Sequence, residues 1–511
     1  MTMTSLPELH GWDGPWAGLR VAVTGLGVTG FSAADTLVEL GCRVVVVDGE
    51  ATEQKQMDAE TLRIVGVADI RFGDDAASTL PLIDGKAPEL IVTSPGWRPD
   101  SALISSAAQA SIPVWSDIQL ARRLGPRPGA RSPEWLTLTG TNGKTTTVTL
   151  LEAMLRADGR RAAACGNIGL PILDAIRDPE GFDVLAVELS SFQLHYTEPL
   201  GAAAAAVLNI AEDHVDWHGG FEAYAADKAR IYEGTRIACV YNAEDPVTEQ
   251  MVAGADVVEG CRAIGFTTDT PEVSMVGLVD DILVDRAFLA ERRHQALELA
   301  TRADFGPLAP KHLVANALAA AALARAIGVA PESVQRAIAE HQPGEHRIQP
   351  VAKADDVLWI NDTKATNPHA AAASLASFTQ VVWIAGGLPK GVDYEPLVRS
   401  VADRLAAVIL IGTDSSQLRS SLERHAPAVP VIGSGVQEDE TQAESVLRSA
   451  DGRTAMRAAV AEAARIARPG QTVLLAPAAA SMDQFASYAD RGEAFIEAVA
   501  ELMERKGFST D

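Results

Sequence analysis

Leu138-Thr139-Gly140-Thr141-Asn142-Gly143-Lys144-Thr145-Thr146-Thr147 is the stretch that decides the fold of the central part of this chain. A short β-prone run, 134–137, precedes it, and the apolar side chains of residues 148–155 recur at helical spacing. The stretch therefore predicts a strand, a glycine turn and a helix, as in a phosphate-binding loop. The usual pattern has another glycine six positions before the lysine, where this chain has Leu138. A chance glycine-rich turn before a helix is the alternative.

The side chains of this loop suit bound phosphate groups. Gly140 and Gly143 allow a tight turn whose backbone N–H groups point inward, and Lys144 supplies a mobile positive charge. The hydroxyl of Thr145 can complete the coordination of Mg²⁺ beside the phosphates. The loop predicts a nucleoside triphosphate site and leaves the reaction open.

Length and composition are those of an ordinary multidomain protein. A chain of 511 residues is too long for one hydrophobic core and predicts about three domains. Hydrophobic residues make up 47% and charged residues 22%, a globular balance. The net charge of −25 argues against a nucleic-acid or anionic-membrane partner, because the field of the protein repels both.

The sequence predicts a cytoplasmic protein without membrane insertion. Residues 1–19 include acidic side chains and no apolar core, so no export signal is expected. The most apolar stretches, 201–210 and 315–330, are too short or too interrupted to span a bilayer. The four cysteines have no metal-binding spacing, so reduced structural thiols are expected.

The first part of the chain has the layout of a dinucleotide-binding fold. A strand candidate, 19–24, runs into Gly25-Leu26-Gly27-Val28-Thr29-Gly30 and then into a helical segment. A second strand candidate ends at Asp48, placed for a ribose or a base. The glycine pattern alone is not specific, but its context predicts a diphosphate-bearing nucleotide, not necessarily NAD. Ser94-Pro95-Gly96 offers a second loop at the same sheet edge.

Two boundaries divide the chain. The Pro, Gly and Arg cluster 125–131 is typical of a linker, and a second boundary lies at the turn 344–347. We expect an α/β protein of three domains: a Rossmann-like N-terminal domain (1–130), a central P-loop ATPase-like α/β domain (131–345) and a Rossmann-like C-terminal α/β domain (346–511). Residues 252–310 suggest irregular β-structure. Beyond 346, four apolar strand candidates end in polar loops, where α/β sheets bind ligands.

Three further side chains are candidates for chemistry. Glu188 ends a strand near the phosphate loop and is placed to hold Mg²⁺ directly or through water. A helix-capping glutamate is the alternative. Taken alone, His214 fits a structural histidine and Lys228 a solvated lysine, so their meaning depends on the surrounding motifs.

Separated motifs occur in the order and approximate spacing of one family, the Mur ligases. They are Gly-Thr-Asn-Gly-Lys-Thr-Thr at 140–146, Gly-Asn-Ile-Gly at 166–169, Glu-Leu-Ser-Ser-Phe-Gln-Leu at 188–194, Glu-Asp-His at 212–214 and Asn-Asp-Thr-Lys-Ala-Thr at 361–366. The chain resembles these ligases over all three domains. With Ser-Met-Asp-Gln-Phe at 481–485, the resemblance favours the member that adds D-glutamate in peptidoglycan synthesis.

The resemblance implies an ATP-dependent ligase that uses two Mg²⁺ ions and passes through an acyl phosphate and a tetrahedral intermediate. It implies that Lys144 has a catalytic role, that Thr145 and Glu188 attend the first ion, and that His214 and Lys228 attend the second. Since an ammonium group cannot ligate a cation, the resemblance also implies that Lys228 is carbamylated by CO₂.

The resemblance also assigns three sets of binding residues. For ATP they are Gly140, Thr141, Asn142, Gly143, Lys144, Thr145, Thr146, Asn316, Arg347, Asp362 and Lys364. For the UDP-linked substrate they are Val28, Thr29, Asp48, Ser94, Gly96 and Asn167. For D-glutamate they are His214, Thr366, Lys390, Ser481 and Tyr488.

The implied substrates are UDP-N-acetylmuramoyl-L-alanine (UDP-MurNAc-L-Ala) and D-glutamate, and a monomer that opens and closes between domains is expected. A folylpolyglutamate synthase is the nearest rival, but its substrate has no UDP for the unit at 25–48. A NAD-dependent oxidoreductase would leave the loops at 361–366 and 481–485 unexplained. A non-catalytic nucleotide-binding regulator would not need Lys144, Glu188, His214 and Lys228 together.

Overall fold

The computed structural model describes Leu6 and residues 8–306, 308–342, 344–389, 391–433, 446–449 and 451–506. Three sheets lie in this part of the chain, and most of their strands are parallel, which confirms the predicted α/β class. The chain divides into two compact units, residues 1–309 with 313–341, and residues 310–312 with 342–511. The predicted boundaries at 130 and 345 stay predictions. None of the helices within these described ranges has both the length and the apolar character of a bilayer span.

The first sheet has five parallel strands in the order β3-β2-β1-β4-β5. Its elements are β1 (Arg20–Thr24), α1 (Val28–Glu39), β2 (Arg43–Asp48), α2 (Glu53–Val65), β3 (Asp69–Phe72), α3 (Asp74–Ser78), β4 (Leu90–Thr93), α4 (Ala102–Gln109), β5 (Val114–Ser116) and α5 (Asp117–Leu124). The order reverses between β1 and β4, so the loops that follow these two strands border the crevice where such sheets bind ligands.

Gly30 fixes the turn between β1 and α1. A Cβ at this position would lie 1.8 Å from the carbonyl oxygen of Gly25, so no other residue fits without moving the backbone. The predicted glycine pattern therefore has a packing role, because it lets the first turn of α1 lie directly against the loop.

The second sheet carries the phosphate loop. Its elements are β6 (Glu134–Thr139), α6 (Lys144–Ala157), β7 (Ala162–Gly166), α7 (Ile172–Arg177), β8 (Val184–Glu188), α8 (Ser191–His195), β9 (Ala204–Val207), α9 (Val215–His218), α10 (Phe221–Ala229), β10 (Ala238–Asn242), α11 (Pro246–Ala253), β11 (Arg262–Phe266), β12 (Met275–Val279), β13 (Ile282–Asp285), β14 (Leu297–Thr301), α12 (Lys311–Ala326) and α13 (Pro331–Glu340). The strand order is β14-β13-β12-β11-β10-β9-β6-β8-β7. Since β6 lies between β9 and β8, the segments that follow these three parallel strands meet at one edge.

Buried apolar side chains connect the first two sheets. One cluster includes Val21 and Trp115 of the first sheet and continues to Leu185 and Val207 of the second. This shared core explains why both sheets belong to one compact unit.

The third sheet belongs to the other unit and has the order β15-β16-β20-β17-β18-β19. Its elements are β15 (Gln349–Ala354), β16 (Val357–Asn361), α14 (Pro368–Leu375), β17 (Val381–Gly386), α15 (Glu395–Val401), β18 (Leu405–Ile411), α16 (Ser416–His425), β19 (Val431–Ile432), α17 (Gly452–Ile466), β20 (Thr472–Leu475) and α18 (Tyr488–Lys506). The four predicted strands are β16, β17, β18 and β20. The sequence did not indicate β15, an antiparallel edge strand, or the two-residue β19.

Candidate active site

The phosphate loop connects β6 to α6, and the long helix α12 lies against it. Gly143 has a φ of 82°, and a Cβ there would lie 2.3 Å from Asn316 Oδ1. Only glycine allows this approach, which brings the predicted nucleotide residue Asn316 to the loop. The backbone N–H of Asn142 donates to Asn209 Oδ1 (2.9 Å). The predicted Thr145 and Thr146 lie in the first turn of α6.

Two lysines meet at one carbonyl oxygen of this loop. Lys144 Nζ donates to the carbonyl oxygens of Gly140 and Thr141, each at 2.9 Å. Lys228, which α10 carries, donates through Nζ to the same oxygen of Gly140 (2.9 Å) and to Thr139 Oγ1 (3.1 Å). Although the two residues are far apart in sequence, their amino groups thus share one acceptor.

The Lys228 amine is buried, with 2% of the residue exposed. Burial, and after it the positive charge of Lys144, lower the pKa of Lys228 well below its usual value. Thr139 Oγ1 donates to the carbonyl oxygen of Leu189 (2.7 Å) and therefore accepts from Lys228. Lys228 Nζ therefore donates two hydrogen bonds, which is as many as a neutral amine can donate.

Glu188 lies at the end of β8 and is also buried. Its Oε1 accepts a hydrogen bond from Asn167 Nδ2 (3.1 Å), so two predicted site residues are in direct contact. Its Oε2 is buried and has no hydrogen-bond partner within the described residues. An unsatisfied buried carboxylate oxygen is rare in folded proteins, and a hard cation is one partner that it suits.

His214 precedes α9 and has a positive φ of 53°, uncommon for a residue with a side chain. Its ring lies 5.0 Å, between centroids, from that of Phe192 in the motif at 188–194. Asp213 Oδ2 lies 3.6 Å from His214 Nε2. The charge of Asp213 also acts on Lys228, where it partly offsets the lowered pKa. Sequence reasoning missed Asp213, although it stands in the Glu-Asp-His run.

The first sheet brings most of the residues predicted for the UDP substrate to its crevice. Asp48 Oδ2 accepts from the backbone N–H of Leu26 (2.6 Å), which ties β2 to the glycine turn. Asp48 Oδ1 accepts from Lys55 Nζ (2.9 Å). Burial alone would raise the pKa of Asp48, but the hydrogen bonds from Leu26 and Lys55 hold it below its usual value. Sequence reasoning missed Lys55, whose only signal was a basic residue near the start of α2.

The remaining residues predicted for this substrate lie around the same turn. Ser94 Oγ donates to the carbonyl oxygen of Gly25 (3.1 Å), and the carbonyl oxygen of Gly96 accepts from Trp217 Nε1 (3.2 Å). Val28 and Thr29 begin α1, and Val28 is 72% exposed. An apolar side chain left this open at the start of a helix offers contact area to a ligand.

The second unit carries the other predicted residues. Asp362 is buried, and Oδ1 accepts from the backbone N–H of Ile348 (3.2 Å), next to Arg347. Burial raises the pKa of Asp362 to about 6, although the charge of Arg347 opposes the shift. Lys364 Nζ lies 3.6 Å from the centroid of the Tyr488 ring, so a predicted ATP residue meets a predicted D-glutamate residue.

The loops at 361–366 and 476–481 are joined by a residue that the motifs do not include. Arg491 in α18 is buried and donates through Nε to Thr363 Oγ1 (2.9 Å). Its other nitrogens donate to the carbonyl oxygens of Thr363, Ala479 and Ala480 (3.1 to 3.2 Å). Burial lowers the pKa of Arg491 to about 9.

Arg491 thus holds two ligand loops together, and those loops include the predicted residues Thr366 and Ser481. Ser481 is buried, and its carbonyl oxygen accepts from the backbone N–H of Phe485 (2.9 Å). The predicted Lys390 lies outside the described residues.

Three family models match the chain in order. The "Mur ligase MurD-like, N-terminal domain" matches residues 19–116, the "Mur ligase middle domain" residues 138–324, and the "Mur ligase, glutamate ligase domain" residues 346–479. Together they include the glycine turn, the phosphate loop and the loop at 361–366.

Relatives are similar over nearly the whole chain. A Streptomyces avermitilis protein named "UDP-N-acetylmuramoylalanine--D-glutamate ligase" is 53% identical over 487 residues, 95% of this chain and 99% of the relative. A Leifsonia xyli protein of the same name is 50% identical over 510 residues, 98% of this chain and 95% of the relative. The crystal structure of MurF from Acinetobacter baumannii is 17% identical with a TM-score of 0.53, covers 96% of this chain and 91% of its own, and shows the shared fold.

Proposed function

The chain belongs to the Mur ligase family, and on this premise we propose that it joins D-glutamate to UDP-MurNAc-L-Ala at the expense of ATP in peptidoglycan precursor synthesis. The observation that carries the proposal is the near full-length identity of 53% with a relative named for this reaction. The reaction has two steps. The γ-phosphoryl group of ATP is transferred to the terminal carboxylate of the UDP substrate, which yields an acyl phosphate and ADP. The amine of D-glutamate then attacks the carbonyl carbon, and the tetrahedral intermediate collapses to an amide and phosphate.

The phosphate loop supplies the positive charge and the N–H donors that the negatively charged phosphates require. Lys144 Nζ donates to two backbone carbonyl oxygens, and a phosphate oxygen is a stronger partner for an ammonium group. On nucleotide binding, Lys144 turns from Gly140 and Thr141 to the phosphates while the N–H groups of the loop donate to them. Asn316 supports the loop from α12. Arg347, Asp362 and Lys364 contribute ATP contacts from the second unit.

Lys228 acts as a carbamate. Burial lowers the pKa of its amine well below the usual value, which favours the neutral form, and a neutral amine adds CO₂ to form a carbamate and release one proton. The resulting carboxylate lies beside Lys144 and offers oxygen ligands where the lysine itself offers none. The two hydrogen bonds that Nζ donates are compatible with the neutral amine that this reaction needs.

The donor set suits Mg²⁺. Thr145 and Glu188 hold one ion, and His214 with the carbamate of Lys228 holds the other; the unpartnered Oε2 of Glu188 supports the fit. When bound, magnesium neutralises the phosphates and stabilises developing negative charge. The hydrogen bond from Asn167 restricts the rotation of the Glu188 carboxylate.

The two substrates use different parts of the chain. The UDP group binds at the crevice of the first sheet, between the glycine turn and the loop at 94–96, with Asp48 fixing the turn. D-Glutamate binds in the second unit at Thr366, Lys390, Ser481 and Tyr488, with His214 near the reacting carboxyl group. The protein acts as a cytoplasmic monomer.

Phosphate release tests the proposed function. Release from ATP should require both UDP-MurNAc-L-Ala and D-glutamate, and L-glutamate or folate should not replace them. Lys144→Ala should abolish release while Lys86→Ala, at an exposed lysine, should not change it. Release with folate would favour a folylpolyglutamate synthase, NADH formation would favour an oxidoreductase, and ATP binding without release would favour a regulator.

Lys228→Ala tests the carbamate. Activity should fall at least about 100-fold, because loss of a group that orients a metal ligand alone costs about 10- to 100-fold. A small carboxylic acid such as acetate should restore part of it, since the acid fits the space that the carbamate leaves. Lys228→Ala at the wild-type rate would contradict the assignment, and so would loss of activity that no carboxylic acid restores.

A further inference from the structure

Three side chains from three short helices converge near α10, on a site that the proposed reaction does not use. His195 ends α8, His218 ends α9, and Asp227 lies in α10. We propose that His195, His218 and Asp227 form a binding site for a divalent transition-metal ion of the Zn²⁺ or Co²⁺ class, separate from the Mg²⁺ sites of the reaction. It is the one group of this kind within the described residues.

The three ligand atoms already lie close together. Asp227 Oδ2 lies 2.9 Å from His195 Nδ1 and 2.8 Å from His218 Nδ1. All three atoms lie within 4.8 Å of one another. A tetrahedral ion with bonds of about 2.0 to 2.1 Å needs ligand atoms about 3.4 Å apart. An ion can therefore enter after changes of about 0.5 Å in the two oxygen–nitrogen separations and of no more than about 1.4 Å in the separation of the two nitrogens.

The second ring nitrogen of His218 has the hydrogen-bond partner that a metal-bound imidazole needs. His218 Nε2 lies 3.0 Å from Ser191 Oγ. When Nδ1 binds an ion, the proton moves to Nε2, and this hydroxyl accepts it in a hydrogen bond. Without an ion, Nδ1–H donates to Asp227 and the hydroxyl of Ser191 donates to Nε2. Both ring nitrogens of His218 therefore have a partner with and without a bound ion.

Aromatic packing fixes the two imidazole rings before an ion binds. The His218 ring lies 4.4 Å from the Trp217 ring and is stacked at 5.7 Å on Phe192, between centroids. The His195 ring meets Trp217 edge to face at 5.3 Å. Because these contacts restrict rotation of the rings, binding an ion costs less conformational entropy than it would with unpacked side chains.

The partly exposed side chain of His195 marks the entry path for an ion. The side chain of His195 is 34% exposed and that of Asp227 13%, whereas that of His218 is fully buried. An ion can reach the site from the side of His195, and water can fill its fourth position.

The ligand types separate this site from the Mg²⁺ sites. Two imidazoles and one carboxylate suit zinc, cobalt, nickel and copper, whereas Mg²⁺ prefers oxygen ligands. The site also joins the segments that follow Glu188 and His214 to the helix that carries Lys228. A bound ion therefore cross-links three elements of the proposed active site and should raise the melting temperature.

Cobalt titration tests the proposal. The full chain is titrated with CoCl₂ in the presence of excess MgCl₂, and the visible ligand-field absorption of bound Co²⁺ is followed together with the melting temperature. We expect one Co²⁺ per chain, a higher melting temperature and no displacement by Mg²⁺. His195→Ala, at the most exposed ligand, and Asp227→Asn should each weaken binding by more than about tenfold, and Ser191→Ala by about tenfold.

His294→Ala is the matched control, because His294 is exposed and far from this cluster in sequence. It should bind Co²⁺ as the wild type does. No saturable binding to the folded wild-type chain would overturn the proposal, and so would equal binding by His195→Ala and Asp227→Asn. X-ray absorption of the Co²⁺-loaded chain provides an independent test: a bound ion without two imidazole ligands would also overturn it.

Discussion

Asp117 is a buried carboxyl group, and the effect of its ionisation on the free energy of unfolding can be measured. It lies at the start of α5 with 2% of the residue exposed, and Oδ1 accepts from Gln193 Nε2 (3.0 Å) in the motif at 188–194. Burial raises the pKa of Asp117 from 3.8 to about 6, although the hydrogen bond from Gln193 opposes the shift. Because the folded pKa is raised, its contribution to stability is complete below pH 3.8 and is lost as the pH rises through about 6.

Asp117→Asn removes this pH dependence, since an amide resembles the protonated acid. Because the pKa of Asp117 is about two higher in the folded state, the free energy of unfolding of the wild type is lower by about 1.6 kcal/mol at pH 5 and by about 3 kcal/mol at pH 8 than it would be with an unchanged pKa. The new amide has its own hydrogen-bonding cost, but that cost is the same at both pH values. The free energy of unfolding of the variant should therefore rise, relative to the wild type, by about 1.4 kcal/mol between pH 5 and pH 8.

Urea unfolding at the two pH values, followed by tryptophan fluorescence, measures this change. Asp178→Asn is the control, because the hydrogen bond from Arg161 lowers the pKa of Asp178 below 3.8, so that this carboxyl group is ionised in both the folded and the unfolded state at both pH values. The stability difference between that variant and the wild type should therefore be the same at pH 5 and pH 8. A difference between Asp117→Asn and the wild type that is the same at pH 5 and pH 8 would refute the reasoning.

Three further substitutions test the packing of the ligand loops. Gly30→Ala should destabilise the chain by about 1 to 3 kcal/mol in thermal unfolding, whereas Gly27→Ala, which has open space around its Cβ, should not. Lys55→Met removes the ion pair with Asp48 and should raise KM for the UDP substrate about 3- to 10-fold with little change in kcat; an unchanged KM would show that Asp48 needs no such support. Arg491→Met should raise KM for D-glutamate at least about tenfold while KM for the UDP substrate stays constant; equal changes in both would indicate a general loss of folding.

The elements around the glycine loops were predictable from sequence because their signals are local. The phosphate loop joins a strand to a helix as predicted, and the turn at Gly25–Gly30 does the same in the first sheet. Asp48 was placed at a strand end by spacing alone, and the structure has it there. In each case a few neighbouring residues contain the whole signal.

Contacts between distant segments were not predictable in this way. Arg491 has the pattern of an ordinary helix arginine, and only the neighbouring Gly492 offered a hint. A Cβ at Gly492 would lie 2.4 Å from His346 Nδ1, so this mid-helix glycine marks a close approach. The cluster of His195, His218 and Asp227 had no signal, because its members follow no metal-binding spacing and meet only through packing of three helices.

Lys228 shows how such a contact changes the chemistry of a residue. In sequence it is a helix lysine, and two charged ammonium groups that share the carbonyl oxygen of Gly140 would repel each other. Burial of Lys228 and the positive charge of Lys144 lower the pKa of Lys228, which favours the neutral form of this amine. Neutrality makes the same amine nucleophilic toward CO₂, and the carbamate would turn the repulsion from Lys144 into attraction. The unfavourable contact in the unmodified chain is therefore itself an argument for the modification.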